Sequence, residues 1–356
     1  MTGSIEKENY PEGISVAVKK PFLEALLRAH EEKRRLVAPL VGFPGLTLAG
    51  TSVKLAQQNY GEHFKVLKAI ADTFHPDALF PLMDLSVEAN AIGRYTVFPK
   101  DESATVVKDE FRRQDLAAAA QVDISFDTRL LGYVETIKMM STGLPPAVLR
   151  GAYVTGPYTL AALLMGADDA ATATVTRPEM LHEICSFATG KIQQYVRLMI
   201  AAGAQLVCIL EPSAVMLGPD QFREFSAAYV RRICEGCKRT AVSTVYHVCG
   251  NSMHLVEAMS SSGVDALSLD SAEAGVDLPV VAQRIPEHIV LVGNLSPTGS
   301  ILCGQPDDVE KDVIHLLREM EGCSYFVLST GCDLPQETPV ENIRAFMRAG
   351  RNYVVG

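Results

Sequence analysis

Residues 243–270 read STVYHVCGNSMHLVEAMSSSGVDALSLD. An apolar run, Ser243–Cys249, ends in a histidine and a cysteine. A helical stretch carrying Met253 and Met259 follows, and a second run, Ala266–Asp270, ends in an acid. Apolar, β-branched runs of this length suit strands buried on both faces, as in a parallel sheet. The same unit recurs outward in both directions. Upstream lie Ala38–Phe43, Ala78–Asp84, Leu149–Thr155 and Gln205–Glu211; downstream lie Ile289–Asn294 and Tyr325–Ser329. Helical patterns separate most of these runs. Pro178–Ala202 carries Met180, Leu181, Ile184, Phe187, Ile192, Tyr195 and Met199 close to a 3.6-residue period. Pro219–Cys237 and Pro306–Met320 open on proline, which favours a first helical turn, and Pro339–Arg351 also reads as a helix.

Eight strands alternating with helices predict an α/β fold, a (β/α)8 TIM barrel, over residues 37–356. An N-terminal extension, residues 1–36, carries one helix around Lys19–Arg35. Residues 85–148 are more than one crossover needs and predict an excursion with a β-hairpin (Tyr95–Phe98, Thr105–Lys108) and a helix. The rival fold, an open doubly wound sheet, would favour a G-x-G-x-x-G turn after the first strand, and none is present.

Composition narrows the function. The 356 residues are 48% hydrophobic and 21% charged with no Trp, as expected of a core-forming globular chain. A net charge of −10 opposes binding to phosphate backbones, so no nucleic-acid partner is expected. No apolar run reaches membrane-spanning length, and MTGSIEKENYPEG lacks the apolar core of a signal peptide. The expected location is therefore cytoplasmic. The eight cysteines are then not a disulfide framework, and most should be small buried apolar residues.

Polar residues close the apolar runs at their C-terminal ends: Asp84, Glu211, His247 with Cys249, Asp270 and Asn294, with Cys332 just past the eighth in STGCDLP. In a barrel, that end of every strand faces one opening, where catalytic groups gather. His247 and Cys249 stand two apart on a strand and point to one face. With Cys332 they form a three-ligand zinc set that leaves a position for substrate. Two thiolates would balance the ion's charge and make it better at holding a soft nucleophile than at acidifying water. Glu211 is a candidate for the open position until substrate arrives. Spacing alone leaves open the alternative of a core histidine with two buried thiols, because H-x-C is short and Cys332 is distant. Cys234 and Cys237 form a C-x-x-C with no second such pair nearby and read as helix residues.

The motifs MDLSVEANAIG (83–93), TGPYTLA (155–161), ILEP (209–212), YHVCGN (246–251), GVDALSLD (263–270), VGNLSP (292–297) and STGCDLPQETPVENI (329–343) are similar to those of the uroporphyrinogen decarboxylase superfamily. Within it, the chain resembles the corrinoid-dependent methyltransferase branch, the methylcobalamin:coenzyme M methyltransferase type. The resemblance spans nearly the whole chain. It implies a barrel, Zn2+ on His247, Cys249 and Cys332, and a corrinoid protein as partner. A methyl group would pass between the cobalt of methylcobalamin and a zinc-activated small-molecule acceptor, such as the thiol of coenzyme M. It also puts Glu211, Asp84 and Tyr158 in the pocket as catalytic candidates. Asn251, Asp270 and Asn294 are expected at the mouth towards the corrinoid, with a docking rim around Asn251–His254 and Ser296–Gly304.

Four alternatives compete with this reading. Decarboxylases of the superfamily grip substrate carboxylates with an arginine-bearing N-terminal signature, P-x-W-x-M-R-Q-A-G-R. The corresponding LVAPLVGFPGLTLAGTS (36–52) has no arginine. Ether-cleaving O-demethylase-type methyltransferases resemble E-x14-E-x20-H, into which Glu211 and His247 fit, but the middle place is Ser226. Transfer to tetrahydrofolate or from another methyl donor remains an alternative. A metal-free barrel that only docks a corrinoid protein or another partner is the competitor from a different class.

Overall fold

The computed structural model describes residues 19–108, 111 and 113–356, so most of the expected extension, residues 1–18, lies outside the described residues. Among the described residues there are ten strands: β1 (Leu36–Val37), β2 (Ala78–Leu79), β3 (Thr96–Val97), β4 (Thr105–Val106), β5 (Leu149–Thr155), β6 (Leu206–Leu210), β7 (Ser243–Val248), β8 (Ala266–Leu269), β9 (Val290–Leu295) and β10 (Phe326–Thr330). Eight form one parallel sheet in the order β1-β10-β9-β8-β7-β6-β5-β2. The two end strands meet through Asp77. Its N–H donates to the Val37 carbonyl at 3.0 Å, and its carboxylate accepts from the Val37 N–H at 2.7 Å. These bonds bring the ends of the sheet together into a nearly closed eight-stranded barrel.

Alternation along the strands sorts the core. Leu36, Leu149, Tyr153, Leu206, Cys208, Leu210, Val245, Ala266, Val290 and Val327 share one cluster inside the barrel. Their neighbours Ile209, Tyr246, Val248, Leu267, Leu291, Phe326 and Leu328 belong to the outer cluster under the helices. Phe22, Leu26 and Ala29, on the helix Pro21–Glu31, join the inner cluster. Lys20 Nζ pairs with Asp265, at the start of β8, at 2.7 Å. The N-terminal helix thus plugs the barrel at the strand starts and leaves the opposite end for chemistry.

Two strands are shorter than expected. Pro81 has no N–H and ends the β2 ladder early, so Ala78–Asp84 contributes only two paired residues before turning into the mouth. Ala38–Phe43 is interrupted in the same way by Pro39. Its pairing lies at Leu36–Val37, although Ala38 N still donates to the Leu328 carbonyl at 2.9 Å. The long helix occupies Pro178–Ala202 as expected. Pro219–Cys237 is helical throughout but contains a π-helical turn at Arg223–Ala227. The expected hairpin forms as antiparallel β3 and β4. It crosses the rim: the Lys100 carbonyl accepts from Lys54 N, on the helix Val53–Gln58, and Lys108 packs on Gly166, at the end of the helix after β5.

Candidate metal centre

His247, the last residue but one of β7, points into the barrel in register with Ser268 of β8 and Leu210 of β6. Cys249 follows two residues later on the same face. Cys332 comes from the loop after β10, where Gly331 lies so close to the Ser271 amide that a Cβ would sit 2.5 Å from it. That close approach lets the loop fold inward. The result is a compact triad. His247 Nε2 lies 3.0 Å from Cys249 Sγ and 4.0 Å from Cys332 Sγ, and the two sulfurs are 3.4 Å apart. Among the described residues, this is the group whose ligand atoms converge closely enough to hold a metal ion.

The triad can be tested against zinc. Bond lengths of about 2.3 Å to sulfur and 2.05 Å to nitrogen at tetrahedral angles separate ligand atoms by about 3.6–3.8 Å. The observed edges bracket that range, so shifts of a few tenths of an ångström would seat the ion. Ser268 Oγ lies 2.9 Å from His247 Nδ1 and so fixes the ring, with Nε2 aimed at the sulfurs. Hydrogen bonding to Cys249 holds the Cys332 thiol well below the usual thiol range against the opposing effect of burial, and the same bond pushes Cys249 up. The donor set fits zinc. Ser268→Ala is expected to weaken zinc affinity about 10- to 100-fold, measured by competition with a chelator, with the fold unchanged by circular dichroism.

Glu211 does not join the triad. Leu210 points into the barrel, so Glu211 turns the other way, towards the helix Pro157–Met165. Its carboxylate caps that helix, accepting from Tyr158 N at 3.0 Å and Thr159 N at 2.7 Å. Ser226 Oγ, in the π turn, donates to it at 2.9 Å and lies 2.6 Å from the Tyr246 hydroxyl. Burial raises the Glu211 pKa against these hydrogen bonds. Tyr158 is buried beside it on the capped helix, with its phenol pKa raised by burial and by Glu211.

Asp84 sits at the mouth with all its acceptors used. Oδ1 takes the Ser86 amide at 2.9 Å and hydroxyl at 2.6 Å. Oδ2 takes the Tyr133 hydroxyl at 2.8 Å and the Arg129 guanidinium. Asp270 accepts from Gly250 N at 2.7 Å and Ser271 N at 2.6 Å, which pins the turn after Cys249. Asn294 donates to the Asp270 and Val276 carbonyls at 2.8 and 3.1 Å. Asn251 is exposed on the rim against Gly275. All these residues gather at the strand ends, but Asp270 and Asn294 spend their polar atoms on the loops that frame the triad. Cys234 and Cys237 are buried helix residues, as the sequence suggested. A separate cleft lined by Ile285, His288, Cys323 and Tyr325 lies at the opposite, strand-start face, away from the triad.

Sequence reasoning missed Ser268, Glu88, Arg129 and Tyr133. Ser268 was hidden because its partner His247 is 21 residues away and meets it only through sheet register. Glu88 is 1% exposed and takes the Thr155 amide and hydroxyl at 2.7 and 2.9 Å. Burial raises its pKa to about 7 from an ordinary 4.5. The folded chain then holds a proton that the unfolded chain loses, so the stabilisation is full below pH 4.5 and is lost as pH rises through about 7. Over that window unfolding free energy is expected to fall by about 3 kcal/mol from this group. Urea melts of wild type and Glu88→Gln across the same range should show that slope in wild type and not in the variant.

A family model described as uroporphyrinogen decarboxylase (URO-D) matches residues 46–353. The chain belongs to the uroporphyrinogen decarboxylase family. It is 29% identical over 287 residues to a uroporphyrinogen decarboxylase of Parasynechococcus marenigrum, covering 78% of this chain and 77% of that one. It is 27% identical over 233 residues to the methylcobamide:CoM methyltransferase MtbA of Methanosarcina mazei, covering 64% and 66% respectively. Among solved structures, a methyltransferase from Methanosarcina mazei superposes with a TM-score of 0.83 at 23% identity, over 93% of this chain and 97% of that one. The fold is thus that of a uroporphyrinogen decarboxylase-like TIM barrel, and the relatives include both decarboxylases and a methyltransferase.

Proposed function

We propose that this protein is a zinc-dependent methyltransferase that moves a methyl group between a corrinoid protein and a thiol acceptor. The observation that carries this reading is the converging Nε2 and two Sγ atoms at the barrel mouth, oriented by Ser268. His247, Cys249 and Cys332 would hold the ion. Bound there, zinc would supply the Lewis acidity that keeps an acceptor thiol as thiolate at neutral pH. The protein's own part is orientation. Ser268 fixes the imidazole, Asp270 and Asn294 hold the loops around Cys249, and the plugged strand-start end leaves the mouth as the route of entry. The corrinoid of the partner would approach that mouth, with Asn251 on its rim.

Decarboxylation fits the mouth less well. The segment 36–52 offers no arginine for a substrate bearing several carboxylates. Ser226 hydrogen-bonds Glu211 where the ether-cleaving pattern would place a second acid, which favours the thiolate-ligand branch. Among the described residues, no helix is long and apolar enough to cross a membrane. The test follows loss of methylcobalamin absorbance with the zinc-loaded protein and coenzyme M, homocysteine or tetrahydrofolate. Turnover with a thiol is expected. Turnover only with tetrahydrofolate, or decarboxylation of uroporphyrinogen, would contradict the proposal.

A further inference from the structure

We infer that Arg129 is the anchor for an acidic group on the substrate, and so a specificity-determining residue; this rests on the thiol-acceptor reading above. Arg129 is the second residue of the helix Thr128–Gly143, and its side chain is 9% exposed. A guanidinium has five N–H donors and is always charged. Here Nη2 reaches Asp84, while Nε and Nη1 are buried with no partner. Asp84 cannot supply more, because its two oxygens also serve the Ser86 amide, the Ser86 hydroxyl and the Tyr133 hydroxyl. The guanidinium is held between rings, 4.8 Å from the Phe98 centroid and 6.0 Å from that of Tyr133. It is therefore desolvated and rigid, with donors to spare. A structural ion pair has no need of that surplus; an oxyanion receptor does.

The location suits a substrate bound at the triad. Phe98 follows β3 in the hairpin that crosses the rim, so Arg129 lies beneath that strap on the β2 side of the mouth. The Cys332 loop reaches the same place. The Asp333 carboxylate accepts from Gly42 N at 3.2 Å and also faces the Met83 amide. Cys332 and Asp84 are thus each one residue from a single contact, Met83 to Asp333. Counting Cα steps and that contact, their Cα atoms are at most about 15 Å apart, a span that two side chains and a short thiol can bridge. A small thiol with a carboxylate or sulfonate at its far end can put sulfur at the triad and its acid at Arg129.

The experiment uses the zinc-loaded full chain and three probes: 2-mercaptoethanesulfonate, its uncharged counterpart 2-mercaptoethanol, and ethanesulfonate, which has the acid and no thiol. Binding is measured by titration calorimetry and methyl transfer from methylcobalamin by absorbance. Wild type should bind ethanesulfonate saturably. Arg129→Gln should lose that binding and raise KM for 2-mercaptoethanesulfonate by about 30-fold or more, while KM for 2-mercaptoethanol changes little. Arg129→Lys, which keeps the charge beside Asp84 but not the planar donors, should fall between and guards against a folding defect. Equal ethanesulfonate binding by wild type and Arg129→Gln, or none by wild type, overturns the inference. So does an equal effect of the variant on both thiols, the pattern expected if buried water fills the spare donors. Failure of the parent reading looks different: no thiol is methylated, yet ethanesulfonate binding persists and still depends on Arg129.

Discussion

Cys332→Ser is expected to cost nearly all metal and all methyl transfer while leaving the barrel folded. The residue is half-buried on a loop after β10, and its sulfur lies against Cys249 and His247. Serine keeps the shape and removes the soft, easily ionised donor. Its hydroxyl does not ionise near neutral pH, and oxygen is a poor match for a thiolate-rich zinc site. Cys249→Ser should act in the same direction. A lost thiolate ligand is expected to weaken zinc by at least about 100-fold, more than loss of an orienting partner such as Ser268. Chelator competition and methylcobalamin demethylation measure the two losses. The metal-free forms of wild type and both variants should unfold within about 1 kcal/mol of one another, because serine replaces one atom and opens no cavity. A variant that kept its zinc and lost only activity would place the sulfur outside the coordination sphere.

Glu211→Ala carries the second large effect, and it falls on stability. The change would strand the Tyr158 and Thr159 amides in a dry interior, while Ser226 keeps the Tyr246 hydroxyl as a partner. Buried donors without partners cost about 1–3 kcal/mol each, so a loss of about 3 kcal/mol or more is expected in urea melts. Glu211→Gln should lose less, since one amide oxygen remains as acceptor while the amide NH2 opposes the second N–H. Gly156→Ala tests the same packing from the other side. A Cβ there would stand 2.1 Å from Glu211 Cγ and Cδ, and the carboxylate has no room to retreat. A cost of about 2 kcal/mol is expected, in the range for overpacked cores. None of the three changes touches a triad atom. If Glu211→Gln instead lowered zinc affinity tenfold with stability unchanged, Glu211 would have to be a ligand and not a helix cap.

Glu211 also shows what the sequence made legible and what it did not. The eight apolar runs announced the barrel, and the two-residue spacing of His247 and Cys249 put both on one face. The same alternation rule turns Glu211 away from the interior once Leu210 is known to face inward, but register is not visible before the strands pair. Pro81 and Pro39 shortened β2 and β1 for a reason present in the sequence: each lacks the N–H a ladder needs. The plug formed by Phe22, Leu26 and Ala29 was legible only as a helix. Its docking inside the barrel depends on contacts with strands scattered along the chain, such as Lys20 with Asp265. Cys332 came into view through the family motif STGCDLP, since 82 residues separate it from Cys249. Arg129 and Tyr133 stayed hidden because they lie in the excursion, where no periodicity points to Asp84.

The central claim is that His247, Cys249 and Cys332 hold one zinc at the mouth of the barrel. X-ray absorption at the zinc edge of the purified, metal-loaded protein tests it most directly. The expected spectrum contains two sulfur scatterers at about 2.3 Å and one imidazole nitrogen at about 2.0–2.1 Å, with one sulfur lost in Cys332→Ser loaded under excess zinc. A third sulfur should appear when a thiol acceptor is added. A shell of nitrogen and oxygen alone, unchanged by the cysteine substitution, would contradict the account.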